Sequence, residues 1–207
     1  MTLLPLFPLD VVLFPGVPLP LHIFEPRYKE MIAECLEQKR PFGIVRASQG
    51  GVASLGCTAE IVSVEKRYDD GRLDILARGV RRFEVIEVNQ ERSFLQAEIS
   101  LVEDEPGNPP PELAEQAAHL FAEISRLADV QPRPLPAQPA QLEAEPSRSG
   151  EGQKSLSYRL AGALPLDLDF KQNLLATLSE EKRLEALVEY LRAVLPGLRR
   201  ASKARWN

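Results

Sequence analysis

Cysteine and histidine are scarce in this chain, and their scarcity removes several chemistries at once. Two cysteines, Cys35 and Cys57, and two histidines, His22 and His119, are all that 207 residues carry. No CxxC pair exists, so a zinc ligand set is not expected. Two reduced thiols facing the core are expected, with a single disulfide as the alternative. The histidines lie in different halves, so neither reads as the positioned base of a serine nucleophile. No run of 18 apolar residues occurs, so no membrane span is expected. The N-terminus lacks a basic region, and Pro5, Pro8 and Pro15 break its apolar run, so it does not read as a signal peptide. These absences make a cytoplasmic protein the expectation.

The remaining candidates for chemistry fail in turn. "SGEGQKS", residues 149–155, has Gln153 where a phosphate-cradling loop needs glycine, and no strand precedes it. Ser155 follows Lys154 directly, and neighbours on a helix diverge by about 100°. They read as a helix start with a capping serine, not a Ser-Lys dyad. The carboxylate groups Asp69-Asp70, Glu103-Asp104-Glu105 and Glu180-Glu181 fall at turns or helix starts, where acids belong anyway. No cofactor or metal is expected.

Charge is divided unevenly. Residues 1–105 hold 12 Lys/Arg against 17 Asp/Glu, and residues 106–207 hold 13 against 13. An acidic first half repels phosphate backbones, which makes nucleic acid an unlikely partner. Arg78, Arg81 and Arg82 around Gly79 form its most basic patch, read as a solvated strand face paired with nearby carboxylates. Alternation sends Arg82 outward if Phe83 points in.

What is present is a β-rich half followed by a helical one. "LLPLFPL" and "VVLF" are short apolar runs cut by prolines, which belong at edges, strand starts or bulges. "FGIV", residues 42–45, reads as a buried strand. "GCTAEIVSVEKRY" and "RLDILARG" flank Asp70-Gly71, a favoured hairpin pair. "VRRFEVIEV" follows, and then "FLQAEISLVE", with Leu95, Ala97, Ile99 and Leu101 on one face. So many strands in about 100 residues predict a small closed or nearly closed barrel. One early helix starts near Pro26, with Tyr28, Met31, Ile32, Cys35 and Leu36 as its apolar stripe. Three prolines, 109–111, lead into a helix striped by Leu113, Ala117, Leu120, Phe121, Ile124 and Leu127. Residues 131–153 are Pro-rich, a loop long enough to be mobile or functional. Three helices follow, with Asp169 and Ser179 as expected N-caps and Pro196-Gly197 as the expected stop.

"LPLFPLDVVLFPGVPLPLHIFEPRYKEMI" resembles the opening of the Lon protease N-terminal domain family. "LGCTAEI", "DGRLDILARGVRRFEV", "LSYRLAGALPLD" and "RLEAL" fall in that family's order. The resemblance implies an α+β fold: a PUA-like β-barrel (residues 1–107) containing one helix, then a helical bundle (108–198) and a basic tail (199–207). In 207 residues the AAA+ and Ser-Lys protease domains of full-length relatives have no place. The implied function is a non-catalytic module that binds exposed apolar or unfolded polypeptide segments, in a groove between barrel and helices with help from a strand edge. RNA binding by the barrel, and a structural or regulatory role with self-association, are the alternatives. The candidate peptide contacts are His22, Phe24, Tyr28, Arg78 and Arg82. Glu25, Pro26 and Arg27 read as a structural corner between strand and helix. Arg27→Ala is therefore expected to lower the melting temperature more than it lowers any binding; normal melting with lost binding would make the corner a functional site.

Overall fold

The computed structural model describes residues 3–48, 51–128 and 155–205. The chain divides into two compact units, one ending at Glu103 and the other beginning at Asp104. The expectations for the 131–153 loop and for the Gln153 loop lie outside the described residues.

The first unit is built from β1 (Leu4–Leu9), β2 (Pro18–Ile23), α1 (Pro26–Gln38), β3 (Phe42–Ser48), β4 (Gly51–Arg67), β5 (Leu73–Asn89) and β6 (Gln96–Val102). The strand order is β2-β5-β4-β3-β1-β6, and β5 pairs with β6 as well. The ladder β5-β4-β3-β1-β6 therefore returns to β5, a closed ring of pairings in keeping with the small barrel expected. One side of β5 carries β4. The other carries β2 along Leu73–Arg78 and β6 along Arg82–Asn89. The two apolar segments on either side of Gly79 are thus one long strand that changes partners midway.

Gly79 sits at the change. A Cβ there would lie 2.1 Å from the Phe14 carbonyl oxygen, so only glycine fits. The close approach is held by Gly79 N–H donating to Val17 O at 3.0 Å and Gly16 N–H to Gly79 O at 2.8 Å. The first of these bonds also sets the phase of β2. Because the Val17 carbonyl faces β5, so do the backbone groups of Leu19, Leu21 and Ile23. Those of Pro18, Pro20 and His22 face away, and the two prolines have no N–H to offer.

The β4–β5 turn differs from expectation. Gly71 takes φ +81°, but Asp70 keeps a negative φ. Gly71 N–H donates to Tyr68 O at 2.9 Å, and Tyr68 N–H to Arg72 O at 3.0 Å. The turn spans three residues with a single left-handed glycine, so Asp70 needs no unusual backbone. Helix α1 behaves as expected. Pro26 is its first residue, and Tyr28, Met31, Ile32 and Cys35 are its buried face. They pack on Phe7, Phe42, Ile44, Ile75 and Ala77 from the strands. Both cysteines are free and buried, and full burial pushes the Cys57 thiol up to about 12.

The second unit contains α2 (Pro111–Leu127), α3 (Leu156–Ala163), α4 (Leu168–Ala176) and α5 (Glu180–Arg205). Ser155 caps α3 by accepting from Tyr158 N–H, as read from sequence, and Ser179 Oγ accepts from Lys182 N–H at the start of α5. Asp167, not Asp169, caps α4, accepting from the amides of Asp169 and Phe170. The expected stop at Pro196 also fails, because α5 runs on to Arg205. A helix-interior proline costs about 3 kcal/mol, but buried Leu195 and an Arg199–Glu123 ion pair at 2.7 Å anchor the helix on both sides of it. At the other end of α5, Arg183 is fully buried. It pairs with Asp104 at 2.7 Å and Glu180 at 2.8 Å, and donates to Ser157 Oγ at 3.0 Å and Thr177 O at 2.7 Å. Its guanidinium also lies 4.2 Å over the Tyr158 ring.

Two glycine substitutions separate close approach from backbone freedom. Gly79→Ala is expected to cost about 3 kcal/mol in urea denaturation, because the new methyl meets backbone. Gly197→Ala, with nothing within 4 Å of its Cβ, is expected to gain about 0.5–1 kcal/mol.

Candidate functional site

The first unit presents a concavity of about 580 Å³. Helix α1 contributes Cys35 and Leu36 and is followed by Lys39, Arg40 and Pro41. Strand β4 contributes Thr58, Glu60 and Ile61, β5 Val80 and Arg81, and β6 Ile99 and Leu101, with Leu4 from β1. Its walls are mainly aliphatic, and Leu101 is 43% exposed. Along the concavity lies a β-bulge, in which Val80 and Arg81 of β5 stand opposite the single β4 residue Thr58. There the Thr58 hydroxyl takes over the broken ladder, accepting from Arg81 N–H at 3.0 Å and donating to Arg81 O at 3.1 Å.

Charges ring this apolar surface. Lys39 ends α1 in a left-handed conformation, φ 51°, that puts it at the rim. Arg40 pairs with Glu34, Arg81 with Glu103, and Arg78 with Glu60 at 3.0 Å through its Nε. Burial raises the Cys35 thiol, partly offset by the nearby Arg40 charge. A buried thiol raised in this way suits a packing group. Among the described residues no cluster of three or more His, Cys, Asp or Glu could hold a metal. No helix among them is long and apolar enough to cross a membrane.

The residues singled out from sequence do not form one site. His22 and Phe24 come together on the outward side of β2, ring centroids 6.0 Å apart, and Phe24 is 57% exposed. His22 Nδ1 lies 2.5 Å from Asp74 Oδ1, and the Tyr68 hydroxyl donates to Asp74 Oδ2 at 2.7 Å. Tyr28 is buried in the core against Phe7, centroids 4.0 Å apart. Arg78 is held by Glu60, as a strand-face arginine paired with a carboxylate was expected to be. Arg82 corrects the alternation argument: it is only 3% exposed although Phe83 is fully buried. Both flanking strands explain this, since Arg82 stands between Cys57 of β4 and Val102 of β6 and donates to Glu103 O at 3.2 Å. At the corner, Arg27 Nε donates to Glu25 Oε2 at 2.8 Å and its guanidinium covers the Tyr28 ring at 4.5 Å. That pair is half exposed, so its contribution is about 1 kcal/mol or less. Sequence reading missed the groove residues Leu36, Val80 and Leu101. The stripe of the first helix names Leu36, and the alternation of "FLQAEISLVE" names Leu101, but both are marked there as core.

A family model described as the ATP-dependent protease La (LON) substrate-binding domain matches residues 3–193. The chain is similar to the Lon protease of Anaeromyxobacter dehalogenans, 28% identical over 197 residues, taking in 91% of this chain and 23% of that protein. It is also similar to the Lon protease of Parabacteroides distasonis, 32% identical over 110 residues, 49% of this chain and 13% of that one. It thus spans less than a quarter of the length of these curated relatives. The crystal structure of a Lon N-terminal domain protein from Xanthomonas campestris superposes with a TM-score of 0.68 at 28% identity, covering 92% of this chain and 99% of that one. The N-terminal domain of the Mycobacterium avium complex Lon protease, 19% identical, shares the fold with a TM-score of 0.60, covering 92% and 98% of the two chains.

The outer β2 cluster has a pH signature. Hydrogen bonds from His22 and then Tyr68 hold the Asp74 carboxyl below its usual range. A depressed carboxylate stabilises the fold above its unfolded pKa, about 3.9, and this contribution disappears as pH falls through the lower folded value. Asp74→Asn should therefore melt with a flatter acid limb than the parent. Identical acid limbs would show that the cluster adds nothing to folding.

Proposed function

The chain belongs to the ATP-dependent protease La (LON) substrate-binding domain family, and from that premise we propose that it is a non-catalytic module that recognises apolar segments of unfolded polypeptides. The observation that carries this reading is the aliphatic groove of the first unit. Leu36, Ile61, Val80, Ile99 and Leu101 converge there from four elements, within a rim of charged side chains. An apolar side chain moved from water into such a surface gains about 1.5–3 kcal/mol. A folded protein keeps those side chains inside, so the groove discriminates by what a client exposes.

Side chains, rather than an added strand at β2, supply the affinity in this reading. The open edge of β2 lacks donors at Pro18 and Pro20, so an incoming strand finds few N–H groups there. Only a few anchors are engaged at a time, and the cost of ordering an unfolded segment keeps each contact weak. Handing the bound segment to an ATP-dependent protease activity would follow from the family.

The test is fluorescence anisotropy with a labelled, reduced and carboxymethylated protein as the unfolded probe and its folded form as the control. The unfolded probe alone should bind, and Leu101→Asp, at a half-exposed position, should weaken it about tenfold. Equal binding of both forms, or full affinity in Leu101→Asp, would remove the groove from the reading.

A further inference from the structure

The helical unit carries a second surface of different chemistry. From Tyr190 to the end of the chain there is no Asp or Glu, while Arg192, Arg199, Arg200, Lys203 and Arg205 are all present. Beside this stretch lies a cleft of about 480 Å³, walled by Ile124, Leu164, Leu166, Val194 and Leu198, with Arg200 on its lining. Ala193, Pro196 and Gly197 of α5 are exposed along it. Arg199 is engaged by Glu123. Arg192 and Arg200 are exposed and form no ion pair among the described residues. They stand about 12 Å apart along the helix.

The helix dipole accounts for cations in the last turn of α5 but not for Arg192, more than three turns from Arg205, because the effect fades within the final turn. Arg200 lines the cleft, and Arg192, about two turns earlier on the same helix, lines a smaller hollow with Gln116, His119 and Leu120. An apolar cleft on a helix that also carries two unmatched cations calls for a ligand with both characters. We propose that the C-terminal half of α5 and its cleft dock an acidic polypeptide segment that carries apolar anchors. Carboxylates meet Arg192 and Arg200, and aliphatic side chains enter between Leu164, Val194 and Leu198. A phosphate backbone would use the cations and leave the cleft unfilled. An anionic bilayer would need a free apolar helix face, but Leu184, Leu187, Leu191 and Leu195 are already buried in the unit's core. This surface lies wholly in the second unit and stands independently of the groove lined by Leu101.

Anisotropy on the full chain tests it with three labelled synthetic peptides: one with glutamates and two leucines, one with lysine for each glutamate, and one with serine for each leucine. The first should bind, weakening several-fold between about 50 and about 300 mM salt, and the other two should bind at least about tenfold more weakly. The double substitution Arg192→Glu, Arg200→Glu should lose about tenfold in affinity. Ala193→Trp, which fills the cleft from an exposed position, should do the same with an unchanged circular dichroism spectrum. Leu101→Asp should leave this peptide's affinity unchanged. Equal binding of the lysine peptide, full affinity in both helix variants, or a loss in Leu101→Asp would overturn the proposal. So would arginine-dependent binding of single-stranded RNA or phosphatidylserine vesicles without binding of the acidic peptide.

Discussion

Where β5 passes Phe14, two backbones approach so closely that no side chain can stand between them, and the sheet unit is organised by that contact. Gly79 exchanges hydrogen bonds with Gly16 and Val17 on one side. Immediately beyond it, β5 leaves β2 and takes up β6, and the ring of strands closes. The next two residues, Val80 and Arg81, enter the groove, bulging out of β5 opposite the single residue Thr58 of β4. Closure of the ring and the shape of the site are thus consequences of one crossing.

The helical unit depends on a charge instead. Arg183 satisfies its donors with two carboxylates, a hydroxyl and backbone carbonyls while fully buried. An arrangement of this kind is not a large source of net stability, because desolvation offsets most of the attraction. Its effect is specificity of place. Leaving any partner out strands a charge in the interior, so the start of α3, the start of α5 and the segment at Asp104 must arrive together. Exposed pairs such as Arg27–Glu25 impose no comparable condition.

The elements that were legible in sequence are those whose signal is local. Helix α1 carries its stripe, its first-turn proline and its length within thirteen residues. The β4–β5 hairpin was visible from its glycine, and the family from a long unbroken motif. What escaped was set by neighbours distant in sequence. Arg82 is interior because two strands flank it. Arg183 reads as a surface i,i+3 partner of Glu180 until Asp104 and Ser157 close over it. Pro196 reads as a stop until the contacts of α2 with α5 are known. The groove escaped for the same reason, because its aliphatic wall is assembled from four elements and no single segment announces it. His22 and Phe24 were found together, while Tyr28 and Arg82, chosen by residue type, proved to be interior.

The two prolines of β2 have a consequence for the company this domain keeps. A protein proposed to hold unfolded chains meets partners that are prone to stack as cross-β ladders. Its own exposed strand could seed such a stack if it offered a full row of donors and acceptors. With Pro18 and Pro20 facing outward, the row is interrupted at successive repeats, and a second chain laid against it cannot complete a register. If the groove holds unfolded segments as proposed, the surface that captures them is kept apart from an edge that could template a stack.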